Sequence, residues 1–222
     1  MNRAPFGSGE WYHCFARGID KRRTFVDRSD YNRFLGLLYL CNNTSTIHRS
    51  NLRSPTLFNL LSMNRGKPLV GIGAFCLMPN HFHLLLKEIT DGGISAFMQK
   101  LGTSYAMYFN MRRNRAGNLF TKPFRSRHIS DDRYLQQVLQ YIHCNPAELF
   151  EPGWKDGRVK DLYILQKKLL IYPYSSFGAF TDTSNVLGKI LDSSIFEIET
   201  QFSPGKMLKE ALEYYRDVKV TP

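Results

Sequence analysis

Residues 69–86 read Leu-Val-Gly-Ile-Gly-Ala-Phe-Cys-Leu-Met-Pro-Asn-His-Phe-His-Leu-Leu-Leu, two apolar runs separated by Met78, Pro79 and Asn80. Proline and asparagine are turn formers, so the stretch predicts a β-hairpin with arms over 69–77 and 81–86. Side chains alternate across a strand, which places His81 and His83 on one face and Phe82 on the other. Two neutral imidazoles side by side are a natural start for a divalent metal site. The same pattern serves equally for two rings that only hydrogen-bond on a half-exposed strand.

Upstream of the hairpin, Trp11 to Arg17 reads as a strand and Gly18 opens a basic loop. Asp27 to Ser29 offers capping oxygens ahead of Tyr31, Phe34, Leu35, Leu37 and Leu38, whose spacing predicts a helix. Residues 42–68, rich in Asn, Ser, Thr, Arg and Pro, read as an insertion with a helical turn at 57–61. Downstream, Gly92 and Gly93 precede Ile94, Phe97, Met98, Leu101, Tyr105, Tyr108 and Phe109 at helical spacing. A turn at Gly117 and Asn118 leads to a strand over 124–129. Ser130 is the expected N-cap of a further helix through Tyr134, Leu135, Val138, Leu139, Tyr141 and Ile142, ending near Pro146. The order strand, helix, strand, strand, helix, strand is that of a ferredoxin-like split βαβ core. The expected fold is therefore α+β, with an antiparallel sheet and one appended helix. Residues 1–180 are expected to form this domain, and 181–222 a C-terminal extension. Within the remainder, 163–170 and 207–215 look helical, and 172–180 is aromatic and irregular.

Lys and Arg number 30 against 19 Asp and Glu, a formal net charge of +11 in 222 residues. Such an excess favours a polyanionic partner, since each cation that meets a phosphate releases a condensed counterion. A surface that is merely solvated fits the number as well. Distribution sharpens it. Between 111 and 127 lie Arg112, Arg113, Arg115, Lys122, Arg125 and Arg127 with no acidic residue, and a second cluster holds Arg17, Lys21, Arg22 and Arg23. These ten cations are the candidate set for binding such a polyanion. Cys14, Cys41, Cys76 and Cys144 are scattered, as buried, reduced thiols would be. No apolar run suits a membrane span or a signal peptide, so a cytoplasmic location without a membrane partner is the expectation.

Sixty residues after the paired histidines comes Tyr141-Ile142-His143-Cys144-Asn145-Pro146. On a helix, Tyr141 and Asn145 are neighbours on one face. An amide oxygen there can join two imidazoles on a hard cation while the phenol meets a phosphate. Equally, Tyr141 can pack and Asn145 can cap the helix, and spacing alone does not choose. Tyr134, seven residues earlier on nearly the same face, is a rival nucleophile.

The PNHFHLLL and YIHCNP segments together resemble the single-tyrosine HUH transposases, above all the REP-associated tyrosine transposases and IS200-like enzymes. GEWYHCFARGIDKRRTFVDRSDYNRFL, GNLFTKPFRSR and YPYSSFGAF extend the likeness over about residues 9–41 and 69–180, with Tyr174 where many relatives carry Trp. The resemblance implies that His81 and His83 bind a divalent metal, Mg²⁺ or Mn²⁺, with Asn145 as third ligand. It implies Tyr141 as the nucleophile of a 5′-phosphotyrosine intermediate in cleavage and rejoining of single-stranded DNA beside a hairpin. It leaves monomer and homodimer open. A domesticated protein that grips hairpins without cutting is the alternative, although such a binder has no need of all four residues. Relaxases usually place their tyrosine near the N-terminus, and no helicase motif follows to suggest a replication initiator.

Overall fold

The computed structural model describes residues 5–45, 56–198 and 204–220, side chains excepted at 197–198 and 214–220. Strands β1 (Trp11–Arg17), β2 (Val70–Met78), β3 (His81–Glu88) and β4 (Arg125–His128) form one sheet in the order β2-β3-β1-β4. All three pairings are antiparallel. This is the ferredoxin-like order expected from the alternation of elements. The register shifts between Ile72 and Ala74. At Gly73 between them, a Cβ would sit 2.7 Å from the Trp11 ring, so the bulge closes only around a residue without a side chain. Beyond the bulge the alternation of β2 is reset, and Ala74, Cys76 and Met78 join the face of Leu85 and Trp11.

One face of the sheet carries Cys14, Ala16, Phe75, Leu77, Phe82, Leu84 and Leu86. Helices α1 (Arg28–Leu40) and α3 (Gly93–Arg112) cover it with Phe34, Leu38, Phe97, Leu101 and Tyr105. Burial of each such side chain contributes about 1.5–3 kcal/mol. Asp27 caps α1 by accepting from the Ser29 and Asp30 amides. Helix α3 begins after the left-handed Gly92 with no capping side chain of its own. Glu88, buried at the end of β3, supplies the carboxylate instead and accepts the Ile94 N–H at 2.7 Å. Within 42–68, the short α2 (Leu57–Leu61) packs on α1 where Gly36 has no side chain to meet Leu60. Residues 46–55 of that stretch lie outside the described residues.

Helix α4 (Asp132–Cys144) lies on the opposite face through Leu135, Val138, Leu139 and Ile142. Its N-cap is Asp131, which accepts the Tyr134 N–H at 2.8 Å, rather than the expected Ser130. Asp131 still has extended backbone, so it is the last residue outside the helix, and the Ser130 hydroxyl donates to its carboxylate. After Pro146 come α5 (Ala147–Phe150), a 3₁₀ turn at Trp154–Asp156, α6 (Leu162–Leu170), α7 (Phe177–Thr181), α8 (Ser194–Ile198) and α9 (Pro204–Val220). Cys144, Trp154, Leu165, Leu169, Phe177, Met207 and Leu208 form a third cluster, and Ile195 joins the second. The C-terminal extension is thus packed into the molecule.

The aromatic stretch 172–180 covers the outer edge of β2. Leu77 N–H donates to Tyr174 O and Ser176 N–H to Phe75 O, both at 2.9 Å. The Ser176 hydroxyl accepts the Phe75 N–H. An open edge is thereby shielded. All four cysteines are buried and none is in a disulfide. Among the described residues, no helix is long and apolar enough to cross a membrane.

Candidate active site

The register of the sheet builds the site in rows. Met78, His81 and Arg17 form the first, and Cys76, His83, Phe15 and Arg125 the second. In the third, His13 lies between Leu85 and Arg127. Phe82 points the other way and is buried against α1 and α3, as the alternation requires. The imidazoles of His81 and His83 stand 5.0 Å apart between centroids, nearly perpendicular.

Helix α4 crosses above these rows and brings down Tyr141 and Asn145 from consecutive turns. The Tyr141 ring meets His83 edge-on at 5.1 Å and His13 at 5.6 Å. Asn145 stands beside both Tyr141 and His81, close enough to bear on the ionisation of each. Tyr141, Asn145, His81 and His83 therefore line one cavity of about 640 Å³, together with Arg17, Arg125 and Lys155. Tyr134 does not line it and packs beside the α4 cluster instead.

Burial dominates the electrostatics. It pushes the His81 imidazole down to about 4, with the Arg17 guanidinium adding to the effect and the Asn145 side chain opposing it. It pushes His83 well below the ordinary histidine range, with His13 and His81 contributing. Both rings are thus neutral, the form that ligates metals. Burial also raises the Tyr141 phenol, against a lowering by Asn145 and by the Arg127 and Arg17 charges. The phenol is protonated at neutral pH.

The donor set fits a divalent ion in kind: two neutral imidazoles and an amide line one cavity beside a tyrosine hydroxyl. It is sparse. Among the described residues, no group of three His, Cys, Asp or Glu side chains comes together as a metal site. Any ion here relies on the amide and on oxygens from outside the chain.

The basic residues divide. Arg17 and Arg125 line the cavity, and Arg127 follows on the same face of β4. Lys21, Arg22 and Arg23 are exposed beside the β1 end, where Arg22 pairs with Asp20 at 3.0 Å. Arg112 and Arg113 are elsewhere, clamped on Asp27 and Asp30. Arg115 bonds Asn110 and Asn118 O, and Lys122 borders a second cavity against α3. Sequence reasoning missed His13, Glu148 and Lys155. Glu148 lines the cavity, and the Lys155 ammonium lies 5.8 Å from the Tyr141 ring centre. Lys155 is placed by the fully buried Trp154 beside it, a long-range anchor with no motif to mark it.

A ferredoxin-like sheet with paired histidines on one strand, facing a tyrosine on an appended helix, is the arrangement that the resemblance to the single-tyrosine HUH transposases leads one to expect. Comparison with known proteins agrees. Residues 41–145 match the family described as "Transposase IS200 like". Among solved structures, the fold is similar to that of a REP-associated tyrosine transposase bound to a REP hairpin. The TM-score is 0.50 at 14% identity, over 84% of this chain and 87% of that one. No curated protein matches the chain. The family match supports a transposase-type function.

Proposed function

We propose that the chain is a metal-dependent enzyme that cleaves and rejoins single-stranded DNA at hairpin-associated sites through a 5′-phosphotyrosine. The observation that carries this reading is the convergence of Tyr141, Asn145, His81 and His83 on one cavity rimmed by Arg17, Arg125 and Lys155. The hairpin bound to the solved transposase of similar fold supports a hairpin-bearing substrate. His81, His83 and Asn145 would hold the ion. When bound, Mg²⁺ or Mn²⁺ supplies positive charge to the non-bridging phosphate oxygens.

The chain's own residues do the rest. Arg17 and Arg125 hold phosphates of the strand, which aligns the scissile one above Tyr141. The phenol oxygen attacks phosphorus in line, forming the tyrosine–phosphorus bond as the bond to the 3′-oxygen breaks. The phenol releases its proton to solvent, and the departing oxygen takes one up to become a 3′-hydroxyl. Atoms and charge balance without oxidant or nucleotide cofactor. One phosphodiester replaces another, so a second 3′-hydroxyl can reverse the step and join new ends.

The test is adduct formation. Wild type, Tyr141→Phe and Tyr134→Phe are incubated with Mn²⁺ and 3′-labelled, hairpin-bearing single-stranded DNA, then denatured. Label should stay on wild type and Tyr134→Phe and be absent from Tyr141→Phe. Loss only in Tyr134→Phe would move the nucleophile one helical repeat earlier. Binding with no adduct in any variant would favour a hairpin-binding protein that does not cut.

A further inference from the structure

We propose that His13 is a positioning residue that fixes the imidazole tautomer of His83 and so leaves its Nε2 lone pair free for a metal. The inference rests on the metal reading above. His13 Nε2 lies 2.9 Å from His83 Nδ1, and both rings are buried. A single proton joins two neutral imidazoles. Where His13 donates it, the proton of His83 sits on Nε2 and blocks that nitrogen. Where His83 donates from Nδ1, His13 is the acceptor and Nε2 of His83 keeps its lone pair.

The neighbouring ring shows which arrangement the site is built for. Asn80 donates from Nδ2 to Lys21 O, so its Oδ1 is the atom 2.7 Å from His81 Nδ1. A carbonyl oxygen only accepts, so His81 carries its proton on Nδ1. His81 is thereby held as the Nδ1–H form by an amide, and His13 completes the same arrangement for His83. Phe15 at 5.0 Å and Tyr141 at 5.6 Å hold the His13 ring in place. Partners of this kind orient ligating histidines and typically change metal affinity ten- to a hundred-fold.

Two measurements separate this inference from the metal reading. In metal-free wild type, long-range ¹H–¹⁵N spectra should show His83 as the Nδ1–H tautomer, changing to Nε2–H in His13→Leu. Titration with Mn²⁺ alone, followed by loss of the free-ion EPR signal, should show His13→Leu weakened about 10- to 100-fold. His13→Gln, which keeps an acceptor at the same reach, should stay within about threefold of wild type. An Nε2–H tautomer at His83 in wild type overturns the inference whatever the metal does. So does equal Mn²⁺ affinity in wild type and His13→Leu. The Nδ1–H tautomer with no Mn²⁺ uptake overturns the metal reading instead.

Discussion

Arg112 and Arg113 are held by two carboxylates at the start of α1, the N-cap Asp27 and Asp30. Arg113 reaches Asp30 at 2.6 Å and Asp27 at 3.3 Å, and Arg112 reaches the same pair at 2.9 and 2.7 Å. Asp30 is fully buried and also accepts the Val26 N–H. Guanidinium groups so engaged have little to release to a phosphate, whereas Arg17 and Arg125 face the cavity. In single-stranded DNA binding, each phosphate contact adds about 0.7 to the slope of log affinity against log salt. Arg17→Ala with Arg125→Ala should therefore shallow that slope by about 1.4, and Arg112→Ala should leave it unchanged. A comparable loss in Arg112→Ala would route the strand over α1 and α3. The run 111–127 contains no acid, which made all its cations look available. The carboxylate partners of Arg112 and Arg113 come from 82 to 86 positions away, beyond the reach of local pattern. His81 and His83 were legible because strand alternation is a local rule.

Among the elements, the strands and the helices α1, α3 and α4 followed from periodicity and turn chemistry, since each buries one face and pays for it with polar residues on the other. What periodicity does not contain is the partner of a sheet edge. The segment around Ser175 looked irregular because its backbone bonds go to β2 rather than within itself. Ser176 is the fastening: its hydroxyl accepts the Phe75 N–H at 2.9 Å and lies 2.8 Å from His143 Nε2, tying the edge to α4. Ser176→Ala leaves the buried Phe75 amide without that acceptor, and chemical denaturation should record a loss of about 2 kcal/mol. Ser175→Ala serves as a neighbouring control, because that hydroxyl accepts only a local amide, that of Phe177. Equal stability of Ser176→Ala and wild type would mean that the edge is held by the backbone bonds alone.

Across the whole molecule, the net charge of +11 gains its meaning from where the cations stand. The cavity wall shows the consequence. His81, His83 and Asn145 carry no charge, and the atoms behind the two rings, Asn80 Oδ1 and His13 Nε2, are neutral as well. Glu148 is the sole acid among the lining residues, against Arg17, Arg125 and Lys155. A divalent ion entering alone meets more repulsion than compensation, and under the proposed function the missing anion is the phosphate of the strand. Ion and strand must then strengthen each other's binding by the same factor. Mn²⁺ should bind roughly tenfold tighter beside a phosphorothioate oligonucleotide that resists cleavage, and the oligonucleotide should gain equally from Mn²⁺. Equal affinities with and without the strand would mean that Glu148 alone suffices as counter-charge. Free protein is in this sense disarmed. Under the proposed function it holds its tyrosine ready but binds the ion weakly, and the strand to be cut completes the site by bringing the charge that the cavity wall lacks.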